Sequence, residues 1–233
     1  MTKETIRERI WDDLEESGVA RFPFPPHGRI PNFEGADAAA DRLAERSEWQ
    51  AATSIKANPD APQLPVRRRA LREGKTVYMA VPRLRDEQCF LELDPDDLAD
   101  YDAATTVSGS SKHGRPVGPE EVGKIDLIVT GSVAVSPEGD RIGKGEGYSD
   151  LEYAILRDLG LVDGGTPVAT TVHERQVLEE PIDADAHDVP MDLVVTPERV
   201  LRPDGGEKPT GIDWSLLDEE RLEEIPVLRQ LRQ

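Results

Sequence analysis

A glycine-rich segment at 141–150, Arg-Ile-Gly-Lys-Gly-Glu-Gly-Tyr-Ser-Asp, has residue types that suit a bound phosphate. Glycine lets the backbone approach a ligand closely and adopt positive φ angles. Free backbone N–H groups at the start of a helix attract anions. Because the segment lies between an apolar strand pattern and a helical pattern, we predict a nucleotide-binding loop. An ordinary hairpin turn is the alternative for such alternating glycines.

The spacing of the glycines departs from two common nucleotide-binding motifs. In the dinucleotide fingerprint the third glycine follows the second after three residues, whereas Gly147 follows Gly145 after two. The Walker loop needs a Gly-Lys-Ser/Thr triplet, which does not occur in the 141–150 segment. The segment therefore predicts a third kind of phosphate-binding loop.

Charged residues elsewhere could extend this site. Lys3 and Arg7 are four apart on a predicted helix and share a face, which is either solvated or directed at a phosphate. Asp150 falls in the first turn of the helix after the loop, where the helix dipole favours a carboxylate and where it could also bind Mg²⁺. The His187-Asp188 pair precedes a predicted strand and is either a polar turn or a second metal ligand.

Two further patterns have structural interpretations. Ser149 and Glu152 have the spacing of a capping box, which predicts that Ser149 caps the helix after the loop. The arginine run at 67–69 is interpreted as a solvated helix face rather than a nucleic-acid-binding patch.

The order of apolar patterns predicts the elements that must position these residues. Helices are predicted at 2–17, 36–49, 66–72, 149–159 and 218–231. Strands are predicted at 54–57, 76–81, 90–93, 125–129, 133–135, 167–172 and 192–196. Strands separated by helices indicate an α/β domain with a mostly parallel sheet.

Composition excludes several classes of protein. The formal net charge of -19 repels nucleic-acid backbones, so we expect no nucleic-acid partner. An acidic chain with only seven lysines also predicts adaptation to high salt, where charge repulsion is screened. Because no segment reads as a signal peptide or a membrane span, we expect a cytoplasmic protein without a membrane partner. Cys89 is the only cysteine, so no internal disulfide can form.

Considered together, the sequence blocks resemble the 5-formyltetrahydrofolate cyclo-ligase family, also called methenyltetrahydrofolate synthetases. The blocks that carry the resemblance are Lys3 with Arg7, 74–77 leading to Pro82-Arg83, 126–129, 141–150, 187–192 and Thr196. The block at 21–33 and the C-terminal tail resemble the divergent methenyltetrahydrofolate synthetase domain-containing branch. The implied fold is a three-layer, Rossmann-like α/β domain of the NagB/RpiA-like type at 1–202. A helical tail at 203–233 is expected to pack on this domain.

The resemblance implies an ATP- and Mg²⁺-dependent ligase that converts 5-formyltetrahydrofolate to 5,10-methenyltetrahydrofolate. The implied catalytic residues are Lys144, which stabilises developing charge, and Tyr148, which contacts the folate together with Asp60. The implied Mg²⁺ ligands are Asp150 and Asp188. The implied ATP-binding residues are Lys3, Arg7, Arg141, Gly143, Lys144, Gly145, Glu146, Gly147, Tyr148 and Ser149. The expected partner is a reduced folate, and the expected state is a monomer or homodimer.

One departure from the family pattern keeps an alternative open. The family usually has two tyrosines before the aspartate, and here Ser149 stands in the second position. Nucleotide binding is therefore better supported than folate binding. The alternative is a nucleotide-binding relative without cyclo-ligase activity, which acts on another substrate or regulates one-carbon metabolism. A nucleic-acid-associated interaction protein is a third hypothesis, and the net charge disfavours it.

Overall fold

A computed structural model of the chain describes residues 1–204 and 206–232. Its strands are β1 (Ala20–Arg21), β2 (Asn32–Phe33), β3 (Ser54–Ala57), β4 (Thr76–Ala80), β5 (Phe90–Leu93), β6 (Arg115–Val117), β7 (Leu127–Thr130), β8 (Ala134–Val135), β9 (Arg141–Ile142), β10 (Val168–Thr171), β11 (Leu193–Val195) and β12 (Val200–Leu201). Its α-helices are α1 (Lys3–Glu16), α2 (Ala36–Ala44), α3 (Ser47–Ala51), α4 (Leu64–Arg72), α5 (Tyr101–Ala104), α6 (Val107–His113), α7 (Tyr148–Asp158), α8 (Glu219–Glu224) and α9 (Pro226–Leu231). Within the described ranges, no helix is both long and apolar enough to cross a lipid bilayer.

An eight-stranded sheet has the order β12-β11-β10-β7-β3-β4-β5-β6. Its five inner strands, from β11 to β4, pair in parallel. The outer strands β12, β5 and β6 pair antiparallel. The pairs β1–β2 and β8–β9 form two small antiparallel sheets. The predicted α/β fold with a mostly parallel sheet is confirmed.

The order of the parallel strands creates a switch point between β3 and β7. The chain moves from β3 outward to β4, and from β7 outward in the opposite direction to β10. Because such crossovers are right-handed, α4 and α7 lie on opposite faces of the sheet, which gives three layers. A crevice therefore opens between the carboxyl ends of β3 and β7, where open α/β sheets bind their ligands.

Helix α1 packs beside this crevice in a small apolar cluster of its own. The predicted spacing of Ile6, Ile10 and Leu14 is confirmed, because all three side chains are buried. They pack with residues around the β8–β9 pair, including Ala134 and Ile142. This packing fixes the polar face of α1 next to the segment that follows β9.

Two predicted helices are each divided in the structure. The segment at 36–49 is broken after Ala44, because Arg46 has an extended backbone and α3 turns Trp49 into the core. The segment at 218–231 is broken at Ile225, which has extended angles before Pro226. Ile225 is fully buried in the main core with Leu228. The predicted tail reaches Gln233, which lies outside the described residues.

Candidate ligand-binding cleft

A cleft of about 470 Å³ opens at the switch point of the sheet. Its walls come from the segment at 58–60 after β3, the segment at 81–83 after β4, and Gly131 after β7. Every site residue predicted from the sequence lines this cleft, namely Lys3, Arg7, Asp60, Arg141, Gly143, Lys144, Gly145, Glu146, Gly147, Tyr148, Ser149, Asp150 and Asp188. The structure brings together residues that are distant in the chain, and their roles in binding stay predictions.

The glycine loop, defined as 143–147, connects β9 to α7 with a backbone that requires glycine. Gly145 has a φ of +104° and Gly147 a φ of +70°, both in the left-handed region. A Cβ atom on Gly145 would lie 3.4 Å from the guanidinium carbon of Arg7. Arg7 also donates from Nε to the Gly143 carbonyl at 2.8 Å. A Cβ atom at Gly145 would be in ordinary contact with Arg7, so the positive φ angle, rather than a lack of space, is what requires glycine there.

The predicted capping box at Ser149 is wrong. Helix α7 begins at Tyr148, and Gly147 occupies the N-cap position without a side-chain hydrogen bond. The Ser149 hydroxyl instead lies 2.6 Å from the Thr130 hydroxyl at the end of β7. Glu152 forms a buried ion pair with Lys56 of β3 instead of a hydrogen bond at the start of the helix. The spacing is that of a capping box, but Ser149 and Glu152 instead bind Thr130 and Lys56, which are distant in the sequence.

Cations around the glycine loop differ in how firmly they are held. The Arg141 side chain is 4% exposed and donates to the Gly131 carbonyl at 2.9 Å and to Asp150 at 2.7 Å. Lys144 pairs with Glu146 at 2.7 Å, but both side chains are more than one-third exposed. Exposed ion pairs contribute little stability, so Lys144 can exchange this carboxylate for a ligand anion. Arg141, in contrast, is a fixed part of the wall.

Lys3 holds a pair of acidic residues at one end of the cleft. Its ammonium group lies 2.7 Å from Asp185 and 2.6 Å from Asp188. Burial alone lowers the pKa of Lys3, but the hydrogen bonds to the two carboxylates outweigh this effect and raise it. Lys3 therefore stays positively charged at neutral pH.

The predicted metal ligands lie on the same side of the cleft, although they have different neighbours. Ligand atoms of Asp185, His187 and Asp188 all lie within 4.8 Å of one another. Asp150 stands outside that group, since it binds Arg141 and accepts a hydrogen bond from the Val189 N–H at 3.2 Å. Sequence reasoning missed Asp185, and the acidic turn at 185–188 was the signal for it.

Asp60, in the wall of the cleft, and Arg67, behind that wall, form a second charged region. The predicted solvated position of Arg67 is wrong, because its side chain is 1% exposed and donates to the carbonyls of Asn58, Asp60 and Thr105. Burial lowers the pKa of Arg67 to about 10. Burial also raises the pKa of Asp60, against the opposing attraction of Lys144 and Arg67. A run of three arginines cannot reveal from sequence alone which of them faces inward.

A buried polar group beneath the cleft was also missed. Lys56 is 1% exposed and donates to Glu152 and, at 2.6 Å, to Asn58. Asn58 in turn lies 3.5 Å from the Ser149 hydroxyl. A lysine inside the predicted strand at 54–57 was the available signal. These contacts join β3 to the first turns of α7, directly after the glycine loop.

Comparison with known proteins supports one family. The model of the 5-formyltetrahydrofolate cyclo-ligase family matches residues 2–197. Methenyltetrahydrofolate synthase domain-containing proteins match the whole chain, with 46% identity in Mus musculus and 40% in Homo sapiens. The chain spans 64% and 62% of the lengths of these two relatives. The NMR structure of Aquifex aeolicus 5,10-methenyltetrahydrofolate synthetase shares the fold, with a TM-score of 0.55, 21% identity, and coverage of 92% of this chain and 99% of that one.

Proposed function

The chain belongs to the 5-formyltetrahydrofolate cyclo-ligase family, and from this we propose that it converts 5-formyltetrahydrofolate to 5,10-methenyltetrahydrofolate with ATP and Mg²⁺. One observation carries the proposal. The residues that the resemblance assigns to ATP, Mg²⁺ and folate all line a single cleft at the switch point of the sheet. That position is where open α/β sheets bind ligands.

The proposed reaction depends on making the formyl oxygen a leaving group. The terminal phosphoryl group of ATP passes to that oxygen and ADP is released. N10 of the folate then bonds to the formyl carbon and loses its proton, and the formyl C–O bond breaks as phosphate leaves. No protein nucleophile is required. The protein's task is to position the reactants and to stabilise charge on the transferred phosphoryl group.

The residues around the glycine loop fit a polyphosphate. Backbone N–H groups at the start of α7 and the side chains of Lys144 and Arg7 supply hydrogen-bond donors and positive charge. Lys144 is assigned to the phosphoryl group in transfer because it is exposed and weakly paired. Arg7 is assigned to the other phosphates, and Lys3 lies at the same end of the cleft.

The carboxylates near Lys3 fit a hard divalent cation. Asp150 and Asp188 are assigned as the Mg²⁺ ligands, with Asp185 beside them, because Mg²⁺ prefers carboxylate and phosphate oxygens. Bound there, Mg²⁺ supplies neutralisation of phosphate charge. In the structure, the Lys3 ammonium supplies positive charge between Asp185 and Asp188.

The folate side of the cleft supports a second candidate function. Tyr148 and Asp60 are the residues assigned to the folate, but Ser149 replaces the expected second aromatic ring. The Ser149 hydroxyl belongs to a polar group with Thr130 and Asn58. Because this polar group stands where an aromatic ring is expected to contact folate, it favours the alternative of a nucleotide-binding relative that acts on a different substrate.

One experiment separates the two functions. The purified chain is mixed with 5-formyltetrahydrofolate, ATP and Mg²⁺ at low and high salt, and absorbance of the methenyl product is followed. We expect ATP-dependent turnover, and a loss of about a hundredfold in kcat/KM for Lys144→Ala, as for removal of a transition-state donor. Lys112→Ala, on the exposed side of α6, is the matched control. ATP binding measured by calorimetry without any turnover would favour the alternative.

A further inference from the structure

The C-terminal segment meets the glycine loop on the side away from the main cleft. A second cavity of about 280 Å³ lies there, between α7 and residues 209–221. Residues 145–147 line both cavities, so this part of the glycine loop forms a wall between them. The family match ends at residue 197, so the other wall of the second cavity comes from outside the matched region.

Arg221 of α8 contacts both the glycine loop and Tyr148, the first residue of α7. Its Nη2 donates to the Glu146 carbonyl at 2.8 Å. Its guanidinium carbon lies 4.4 Å from the centre of the Tyr148 ring, within the range of an attractive cation–π contact. Arg221 lines only the second cavity, whereas Tyr148 lines the main cleft. A ligand in the main cleft therefore has no need to displace Arg221.

The chain directly after Arg221 is firmly anchored. Ile225 and Leu228 are fully buried in the main core. Glu224, between Arg221 and this anchor, forms an ion pair with Arg85 and lies 3.5 Å from the Tyr148 hydroxyl. Arg221 is thus presented to the loop by a helix whose end is held in the core, rather than by a free tail.

We propose that Arg221 is a positioning residue that holds the glycine loop and Tyr148 in the geometry that binds the nucleotide. Three of the five loop residues are glycine, so ordering the loop costs more conformational entropy than ordering other sequences. Arg7 holds the Gly143 carbonyl at one end of the loop, and Arg221 holds the Glu146 carbonyl near the other. An ordered loop binds its ligand more tightly because less entropy is lost on binding. The effect on nucleotide affinity rests on the proposed function, whereas the effect on loop order does not.

Hydrogen exchange tests loop order without any ligand. In Arg221→Ala, we expect the Leu151 amide, which donates to the Gly147 carbonyl of the loop at 3.2 Å, to exchange about tenfold faster than in the wild type, since a hydrogen bond and a cation–π contact that hold the loop are both lost. Arg221→Lys keeps the charge but not the planar stack, and we expect an intermediate rate. Arg229→Ala, an exposed arginine on α9, is the matched control and leaves the rate unchanged. Equal exchange in wild type and Arg221→Ala would overturn the proposal.

Steady-state kinetics then tests the consequence for the nucleotide. We expect Arg221→Ala to raise the KM for ATP about tenfold with little change in kcat, because a loop that closes on the bound nucleotide still reaches the reactive geometry. We expect Arg221→Lys to recover part of the affinity. A fall in kcat at constant KM would contradict positioning through the loop. Faster exchange in a chain without turnover would instead support the positioning role and reject the proposed reaction.

Discussion

At the scale of single residues, the structure is most informative where charge is buried. Lys56 and Glu152 are separated by 96 positions in the sequence, so no local pattern links them. They meet because α7 packs on the face of β3 that carries Lys56. The pair lies beneath the cleft, and it joins a central strand to the helix that starts at the glycine loop.

Removal of one partner from this pair should destabilise the fold strongly. Lys56→Met leaves Glu152 buried without its cation, and we expect a loss of about 3–5 kcal/mol in the free energy of unfolding. The double variant Lys56→Met/Glu152→Met removes both charges and should recover most of that loss. Urea denaturation at neutral pH measures all three proteins. A double variant as unstable as the single one would show that the charge pairing is not the cause.

Two aspartates should give opposite pH dependences of stability. Burial raises the pKa of Asp60. The stabilising contribution of Asp60 to the free energy of unfolding is therefore present below its unfolded pKa of about 3.9 and is lost as pH rises through the folded pKa. Burial alone would raise the pKa of Asp126, but hydrogen bonds from Thr53 and Ser54 outweigh it and lower the pKa. The Asp126 contribution is therefore present above about 3.9 and is lost as pH falls through the folded pKa.

Denaturation from about pH 3 to about pH 7, a range that includes the ordinary pKa of an aspartate side chain, measures these contributions. We expect Asp60→Asn to gain stability relative to the wild type as pH rises. We expect Asp126→Asn to be less stable than the wild type at neutral pH, with a difference that shrinks in acid. Parallel curves for Asp60→Asn and the wild type would contradict the raised pKa of Asp60.

At the scale of elements, the sequence patterns predicted most strands of the eight-stranded sheet well. The strands at 54–57 and 90–93 are confirmed to the residue, because each is a short segment that is mostly buried. The edge strands β6 and β12 were not predicted, since β6 contains Arg115 and Pro116 and β12 has two residues. The helices α5 and α6 were also missed because they are short and largely polar.

In the candidate cleft, local sequence motifs were also easier to predict than contacts between distant segments. A compact motif located the glycine loop, but contacts between distant segments decided which side chains hold it. The pairing of Arg221 with Glu146 spans 75 positions, and neither residue type nor spacing indicates it. Likewise, Ser149 matched a capping pattern, but its hydroxyl forms a hydrogen bond with the hydroxyl of Thr130 in β7.

The glycine loop itself can be tested with two matched substitutions. Gly145→Ala and Gly160→Ala both place alanine at a positive φ, which costs about 1–2 kcal/mol of stability. Only at Gly145 does the new methyl group meet the Arg7 guanidinium, because the space around Gly160 is open. We expect similar losses of thermal stability but weaker ATP binding only for Gly145→Ala. Equal ATP affinity in calorimetry would remove Arg7 and the loop from the proposed phosphate site.

At the scale of the whole molecule, the large negative net charge is the main feature expected to affect stability. The chain carries 47 acidic and 28 basic residues, which gives the net charge of -19. Repulsion among so many carboxylates opposes the compact state, and salt screens it. The hypothesis of adaptation to high salt rests on this balance alone.

Stability should therefore rise with ionic strength. Between about 0.1 M and 1 M potassium chloride the Debye length falls from about 10 Å to about 3 Å, so repulsion between separated carboxylates is largely removed. We expect the thermal midpoint to increase over this range, as followed by circular dichroism. A midpoint that is constant or lower at high salt would contradict the hypothesis. Chloride is preferred to sulfate, which stabilises proteins in general by exclusion from their surface.

The buried C-terminal residues show that the end of the family model and the end of the folded core are two different boundaries in this chain. The family model ends at residue 197, although the domain-containing relatives match the whole chain. The interior, in contrast, continues through Ile225 to Leu228, which lie in the same apolar cluster as the sheet. A chain cut where the family model ends would lose these residues and expose part of its apolar core to water. The family model and the folded core therefore end at different residues, and the core is the better guide to where the chain can be shortened.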